Sequence, residues 1–307
     1  MNSWLDSNTI LLQQTLTTFL MALSIQIPMR MGVFSFAGVG AFGIGGYTAA
    51  AAMIHLGWGT LPSILLGAII PGVVVFLLGL VVQRLTGLYM GMATIAFTLI
   101  VAVVAVNGGE LTGGAAGLFG ALGNLTLGGI VVIVVIVAAS TQLTESGSLG
   151  RRIDAVREDP ELANAMGIDV GRYRRLSFLA SGVVGGLAGG ITTLLRSTIT
   201  PAEVNFHLVV LALTVIVVGG TGSWLGVLIG SLVFVWLPTV VGFVSKWEEF
   251  IYGVIVVLAA VLLPGGVLGV GRDLWHRIRT KDVRGASRGP RSSAPVSDDD
   301  QIVEVHS

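Results

Sequence analysis

GRRIDAVREDPELANAMGIDVGRYRRLSFLASG, residues 150–182, is mostly charged or polar. It interrupts a chain of 307 residues in which 53% are hydrophobic and only 11% charged. A soluble domain would carry about 25% charged residues. On both sides of the segment, apolar runs reach the roughly 20 residues that cross a bilayer core, and they recur along the chain. The segment therefore reads as a polar connection inside a polytopic α-helical membrane protein. A transmembrane barrel would show roughly ten-residue alternating strands, and the sequence has none.

Local signals give the segment its own structure. Asp159 suits an N-cap, Pro160 the first helical position, and Glu161 the positive end of the helix dipole. Gly167 suits the residue just past a helix C-terminus. The spacing predicts a helix of about two turns over 160–166. Leu162 and Met166 share its face, four residues apart, flanked by Ala163 and Ala165. Upstream, Ile153 and Val156 are three apart, as in a first short helix or turn. A two-turn helix is not stable alone in water. It rests either on its own membrane domain and headgroups or in a groove on a partner protein.

Apolar runs and their breaks predict an all-α bundle of about nine spans, near 9–29, 33–55, 60–82, 87–107, 126–142, 176–198, 207–221, 224–244 and 249–269. The fifth and seventh are short, and the second and eighth are glycine-rich. Any of these four could be a broken or re-entrant element, which gives a range of eight to ten. Placing 143–175 in the cytoplasm sends Arg30, Arg84, Arg151, Arg152, Arg157, Arg172, Arg174, Arg175 and the basic residues from Arg272 to Arg291 to that side. The other side receives Arg196 and Lys246, with Asp6, Glu110, Glu203, Glu248 and Glu249. That asymmetry follows the positive-inside rule. The expected topology has the N-terminus outside and the C-terminus in the cytoplasm. Residues 1–271 form the membrane domain. Residues 272–307 form a cytoplasmic, largely disordered tail, basic at its start and acidic near its end.

What the chain lacks narrows the chemistry. Formal net charge is zero and cysteine is absent, so a basic nucleic-acid face, disulfides and thiolate metal sites are not expected. Its two lysines, Lys246 and Lys281, follow no phosphate-binding glycine loop. If ATP drives this protein, another chain binds it. The four histidines are scattered, without metal-ligand spacing. Ionisable residues deep in the spans are nearly absent, which disfavours a proton relay or an intramembrane protease. The N-terminus lacks the basic start and small-residue cleavage site of a signal peptide.

FSFAGVGAFGIGGYTAAAAM, residues 34–53, has glycine at 38, 40, 43, 45 and 46. It suits close helix packing. It equally suits a broken helix whose backbone lines a solute path, with Ser35, Tyr47 and Thr48 as the polar groups there. GGTGSWLGVLIG, residues 219–230, reads as a tight turn between two spans, with Trp224 at the interface. GELTGGAAGL, residues 109–118, reads as a flexible external loop.

The run GRRIDAVREDPELANAMGIDVGRYRRLSFLASGVVGGLAGG resembles the cytoplasmic loop and following span of permease subunits of branched-chain amino acid ABC transporters, the LivM type. FGIGGYTAA, GLYMGMATIAF, LTGGAAGL and VVGGTGSWLGVLIG agree with that family in the same order, covering roughly residues 30 to 240. Family members commonly carry histidine where this chain has Gly38, and proline where it has Val227. The resemblance implies that the loop docks on an ATPase subunit as a coupling helix, through Arg157, Glu158, Asp159, Leu162, Ala163, Met166 and Gly167. It implies a second permease subunit in a heterodimer, two P-loop ATPase subunits that bind the ATP, and an extracytoplasmic solute-binding protein. This chain itself would be no enzyme, hold no cofactor or metal, and sit in the bacterial cytoplasmic membrane. The implied cargo is leucine, isoleucine and valine, or a similar small polar solute such as urea or an amide. A facilitator or secondary transporter working without ATP is the alternative, and a membrane-embedded assembly protein a further one.

Overall fold

The structure, a computed structural model, describes residues 2–240. Among the described residues, six helices are long and apolar enough to cross a membrane. They are α1 (Asn2–Arg30), α2 (Ala37–Leu56), α3 (Thr60–Val82), α4 (Gly87–Asn107), α5 (Leu127–Glu145) and, after two short helices, α8 (Val170–Arg196). Between α5 and α8 lie α6 (Gly147–Glu158) and α7 (Pro160–Ala165). Two further helices, α9 (Phe206–Gly219) and α10 (Trp224–Val240), follow α8. The apolar runs become helices because hydrocarbon offers no partner to backbone N–H and C=O groups, and a helix satisfies them internally.

The helix ends sort into two sets. Arg30 at the end of α1 meets Glu145 at the end of α5. Gly32, just past α1, faces the backbone of Arg157 at the end of α6. Ile153 of α6 packs in one cluster with Met31, Val33, Val82, Met90 and Phe178. We call this the loop end. At the far end, the Asn124 N–H donates to Thr60 Oγ1 at 3.0 Å, and a two-residue strand β1 (Leu118–Phe119) pairs antiparallel with β2 (Thr198–Ile199).

The centre is α2 against α8. Of their spanning windows, 72% is buried in each, against 28–39% for α3, α4 and α5. Glycine makes the crossing. Gly185 and Gly189 of α8 turn toward α2, where Gly189 lies against the Phe42 carbonyl, and Gly45 lies against Gly186. Gly182 and Gly186 turn toward α3, against Pro71 and Gly67. These are two small-residue ridges at four-residue spacing, the arrangement that lets backbones approach in lipid. Gly186→Leu is expected to break the crossing, because its Cβ would enter Pro71 and the Gly67 carbonyl. Ordinary overpacking costs about 1–3 kcal/mol, and here the Gly67 backbone and the closed Pro71 ring cannot yield. Thermal melting in detergent should show a clearly lower midpoint or no folded peak, and an unchanged midpoint would contradict the packing described.

Several expectations need correction. Residues 37–56 form one continuous helix. The broken-helix reading of 34–53 therefore fails and the packing reading stands. Gly38 leaves room for Ser24 of α1, whose side chain any Cβ there would meet. The fifth span is not short, since α5 runs to Glu145 over 19 residues. The seventh and eighth, both expected as open to a broken or re-entrant form, are α9 and α10, and the expected end of the eighth at 244 lies outside the described residues. The 14 residues of α9 reach about 21 Å, short of the roughly 30 Å core. The pair bends by 115° at the break, as one broken span or re-entrant element. Backbone contact makes that bend, with Gly219 against the Gly226 carbonyl, Gly230 against the Val215 carbonyl, and Gly220 at φ +102°. Residues 109–118 are not a plain loop, for two 3₁₀ turns and β1 order them. The expected span 249–269 and the tail 272–307 lie outside the described residues.

Candidate coupling site

The polar segment folds as its caps dictate. Asp159 Oδ1 accepts the N–H groups of Glu161 and Leu162, both at 3.0 Å. Pro160 occupies the first turn. At the other end the Gly167 N–H donates to the Asn164 carbonyl and the Ile168 N–H to the Ala163 carbonyl, both at 3.0 Å. Gly167 has φ +81°. That is a Schellman closure, with the glycine where an L side chain is strained. Asp169 Oδ1 then accepts the Arg172 N–H at 2.9 Å and starts α8. This cap explains why α8 begins at Val170, six residues before the expected span.

One face of this hairpin is inward. Val156, Ala163 and Val170 form a small buried cluster, joined by Ile168 and Tyr173. The other face is bare. Leu162 is 58% and Met166 69% exposed. Arg157, Glu158, Asp159, Glu161 and Gly167 are exposed beside them. Of the seven residues assigned to the coupling contact, six lie on the open side. Ala163 does not: it is 1% exposed, a buried support for the helix. Asp159→Ala should loosen the hairpin by about 1 kcal/mol. Faster amide exchange over residues 160–166, with the bundle unchanged, is the expected readout.

The loop is fastened to the bundle through a residue that sequence reading did not select. Glu145 closes α5 two residues before α6 begins. Its Oε1 accepts the Trp224 N–H at 2.9 Å and its Oε2 the Ser223 hydroxyl at 3.2 Å. Its carboxylate thus caps the first turn of α10, where the dipole favours a negative charge. Arg30 Nη1 lies 2.9 Å from Glu145 Oε1, with side-chain exposures of 12% and 9%. No acceptor lies along the Nη1 hydrogens, so the contact is an ion pair by distance more than a directed hydrogen bond. Gln142 Oε1 accepts the Trp224 indole N–H at 2.6 Å, and Gln26 Nε2 donates to the Thr221 carbonyl at 3.2 Å. The bend between α9 and α10 is therefore tied to α1, α5 and, through them, the loop. An acidic residue at the end of an apolar span was the available signal.

The three residues considered for a solute path are not brought together. Ser35, buried at the loop end, accepts the Ala37 N–H at 3.3 Å at the start of α2. Tyr47 and Thr48 lie some 18–20 Å further along α2 by helical rise. The Tyr47 hydroxyl is buried without a partner, and Thr48 Oγ1 donates to the Gly45 carbonyl at 3.1 Å. None of the three lines the 500 Å³ cavity at the loop end or the 260 Å³ cavity at the far end. The larger one is walled by α1, α5, α6 and α8 and is almost wholly apolar.

A tightly crossed bundle of long apolar helices, with a bent helix pair and a capped, exposed loop, is the architecture of a multi-pass membrane protein. The chain belongs to the family described as branched-chain amino acid transport system / permease component, which matches residues 8–260. It is an ABC-type permease family, and the protein is a multi-pass protein of the inner membrane. The chain is 24% identical to the high-affinity branched-chain amino acid transport system permease protein LivM of Salmonella typhimurium, over 84% of this chain and 69% of that protein. It is 23% identical to LivM of Escherichia coli, over 91% of this chain and 72% of that one. It is also 27% identical to the fructose import permease protein FrcC of Rhizobium meliloti, over 44% of this chain and 39% of that one. No solved structure matches it significantly.

Proposed function

We propose that this chain is one permease subunit of an ABC importer for branched-chain amino acids, driven through α6 and α7 by separate ATPase subunits. One observation carries the coupling reading: a rigidly capped helix holds Leu162 and Met166 out in the open, where nothing in the described chain covers them. Exposed apolar side chains four residues apart on a short helix are what a groove on a partner receives. The charges around them would set the register of docking. Supporting the cargo reading is the likeness to the LivM permeases of branched-chain amino acid transport systems. The fructose relative keeps the wider class, a small polar solute, as the second reading.

The remaining assignments follow from that reading. The loop end faces the cytoplasm, which puts the N-terminus outside. The other partners are a second permease subunit and an extracytoplasmic solute-binding protein. ATP is bound by the two ATPase chains. Movement of α7 would reach the bundle by two routes. Ile153 sits among Met31, Val82 and Phe178. Glu145 holds the start of α10. A push on the loop would therefore tilt α1 and α5 and shift the bent pair together.

Mild-detergent purification of the tagged chain from its native membrane, followed by mass spectrometry, tests the assembly. The expected eluate holds a P-loop ATPase and a second, similar permease. A chain that comes out alone and moves solute unaided in liposomes would replace this reading with a facilitator.

A further inference from the structure

The far-end cavity has a make-up that the packing of the bundle does not require. It measures 260 Å³ and lies between the outer half of α1, the end of α8 and the start of α9. Pockets for drug-sized ligands run from about 300 Å³ upward, so this one suits something smaller. Two opposite charges line it: Arg196 at the end of α8 and Glu203 in the 3₁₀ turn Pro201–Glu203. Among the described residues the sole ion pair is Arg30–Glu145, so Arg196 and Glu203 face one cavity without pairing to each other. Glu203 receives one long hydrogen bond, from Thr200 Oγ1 at 3.4 Å.

The rest of the wall divides cleanly. Asn205 is spent on its own backbone, for its side chain accepts the Leu208 N–H and donates to the Ala202 carbonyl. Gln14, Thr18 and His207 add further polar groups, while the Thr17 and Thr192 hydroxyls donate to carbonyls of their own helices. Met21, Leu208 and Leu211 give an apolar side. Asn205 also caps α9, so the positive end of that helix opens at the same place.

We propose that this cavity is a transit site for a zwitterionic amino acid with an aliphatic side chain. Arg196 takes the α-carboxylate, with the α9 N-terminus behind it. Glu203 takes the α-ammonium. The side chain lies on Met21, Leu208 and Leu211. A neutral sugar offers neither group a counter-charge, whereas a zwitterion answers both, and charge-assisted hydrogen bonds are the stronger ones. The inference rests on the importer reading above.

The test uses the transporter with its co-purifying subunits in proteoliposomes. The chain has no cysteine, so Thr18→Cys places a single thiol on the cavity wall in an otherwise unaltered chain. With binding protein and ATP present, leucine should protect that thiol from an impermeant maleimide severalfold, and ribose should not. Arg196→Met and Glu203→Gln should each lower leucine uptake at least tenfold, while the binding protein still stimulates ATP hydrolysis. Leucine uptake without protection, and with both variants transporting normally, overturns the site and leaves the importer reading intact. Loss of ATPase stimulation along with uptake would mean that these charges dock the binding protein, which also overturns the site. A transporter that carries no amino acid removes the cargo reading and this proposal together.

Discussion

Leu162→Asp or Met166→Asp is expected to abolish ATP-driven uptake while the chain remains folded in the membrane. Both side chains are mostly exposed within the chain. A substitution at such a place changes folding by roughly 0.5 kcal/mol or less. Docking is another matter. A carboxylate forced into an apolar groove loses its hydration, at a cost of several kcal/mol. About 3 kcal/mol lost from docking weakens it more than 100-fold. ATPase activity and uptake measured in the same proteoliposomes, beside a melting curve, separate the effects. Ala163→Asp is the converse case. It puts the charge into the cluster with Val156 and Val170, so its melting curve and loop exchange should change as well. Normal uptake by both Leu162→Asp and Met166→Asp would end the coupling assignment.

Glu145→Ala is expected to destabilise the chain by about 3–5 kcal/mol, because it leaves Arg30 buried without its partner. It also uncaps α10 and frees Ser223. Removing both charges should cost less. In Arg30→Met with Glu145→Leu no isolated charge remains buried, and apolar replacement of a buried pair is often near neutral. The predicted order of melting midpoints is wild type, then the double variant, then Glu145→Ala. Uptake should be low in both, since neither holds the bend between α9 and α10. A double variant as unstable as the single one would show that packing, not charge, governs this junction. Wild-type uptake in the double variant would show that the bend needs no tether.

Much of the fold was legible because its signals are local. The α3 and α4 bounds fall where they were expected, since Gly59 and Thr86 precede them and the runs between carry no charge. The caps of α7 were equally plain in DPEL and MG. Misreadings came where a distant residue decides. Residues 143–145 looked like the start of a polar loop. They continue α5, whose end at Gln142 and Glu145 is bonded by Trp224 and Ser223, some 80 positions later. Span seven was short by hydropathy and open to a re-entrant form, but only the contact of Gly219 with the Gly226 carbonyl shows where the chain turns.

Residue order was enough to place this protein in the membrane, to gather Arg30 and the arginines of 151–175 at one end of the bundle, and to build the capped helix from Pro160. Hydropathy and capping depend on neighbours within a turn or two, and those are written consecutively. It was not enough to show which glycine faces α2 and which α3, that Arg30 lies on Glu145, that Ala163 turns inward, or that Arg196 and Glu203 share a cavity. Each of those depends on how a helix is rotated about its axis and where it crosses its neighbour. Residues more than 100 positions apart settle such angles, as Gly45 and Gly186 do. In lipid they do so by shape and close contact, since apolarity is the same on every face.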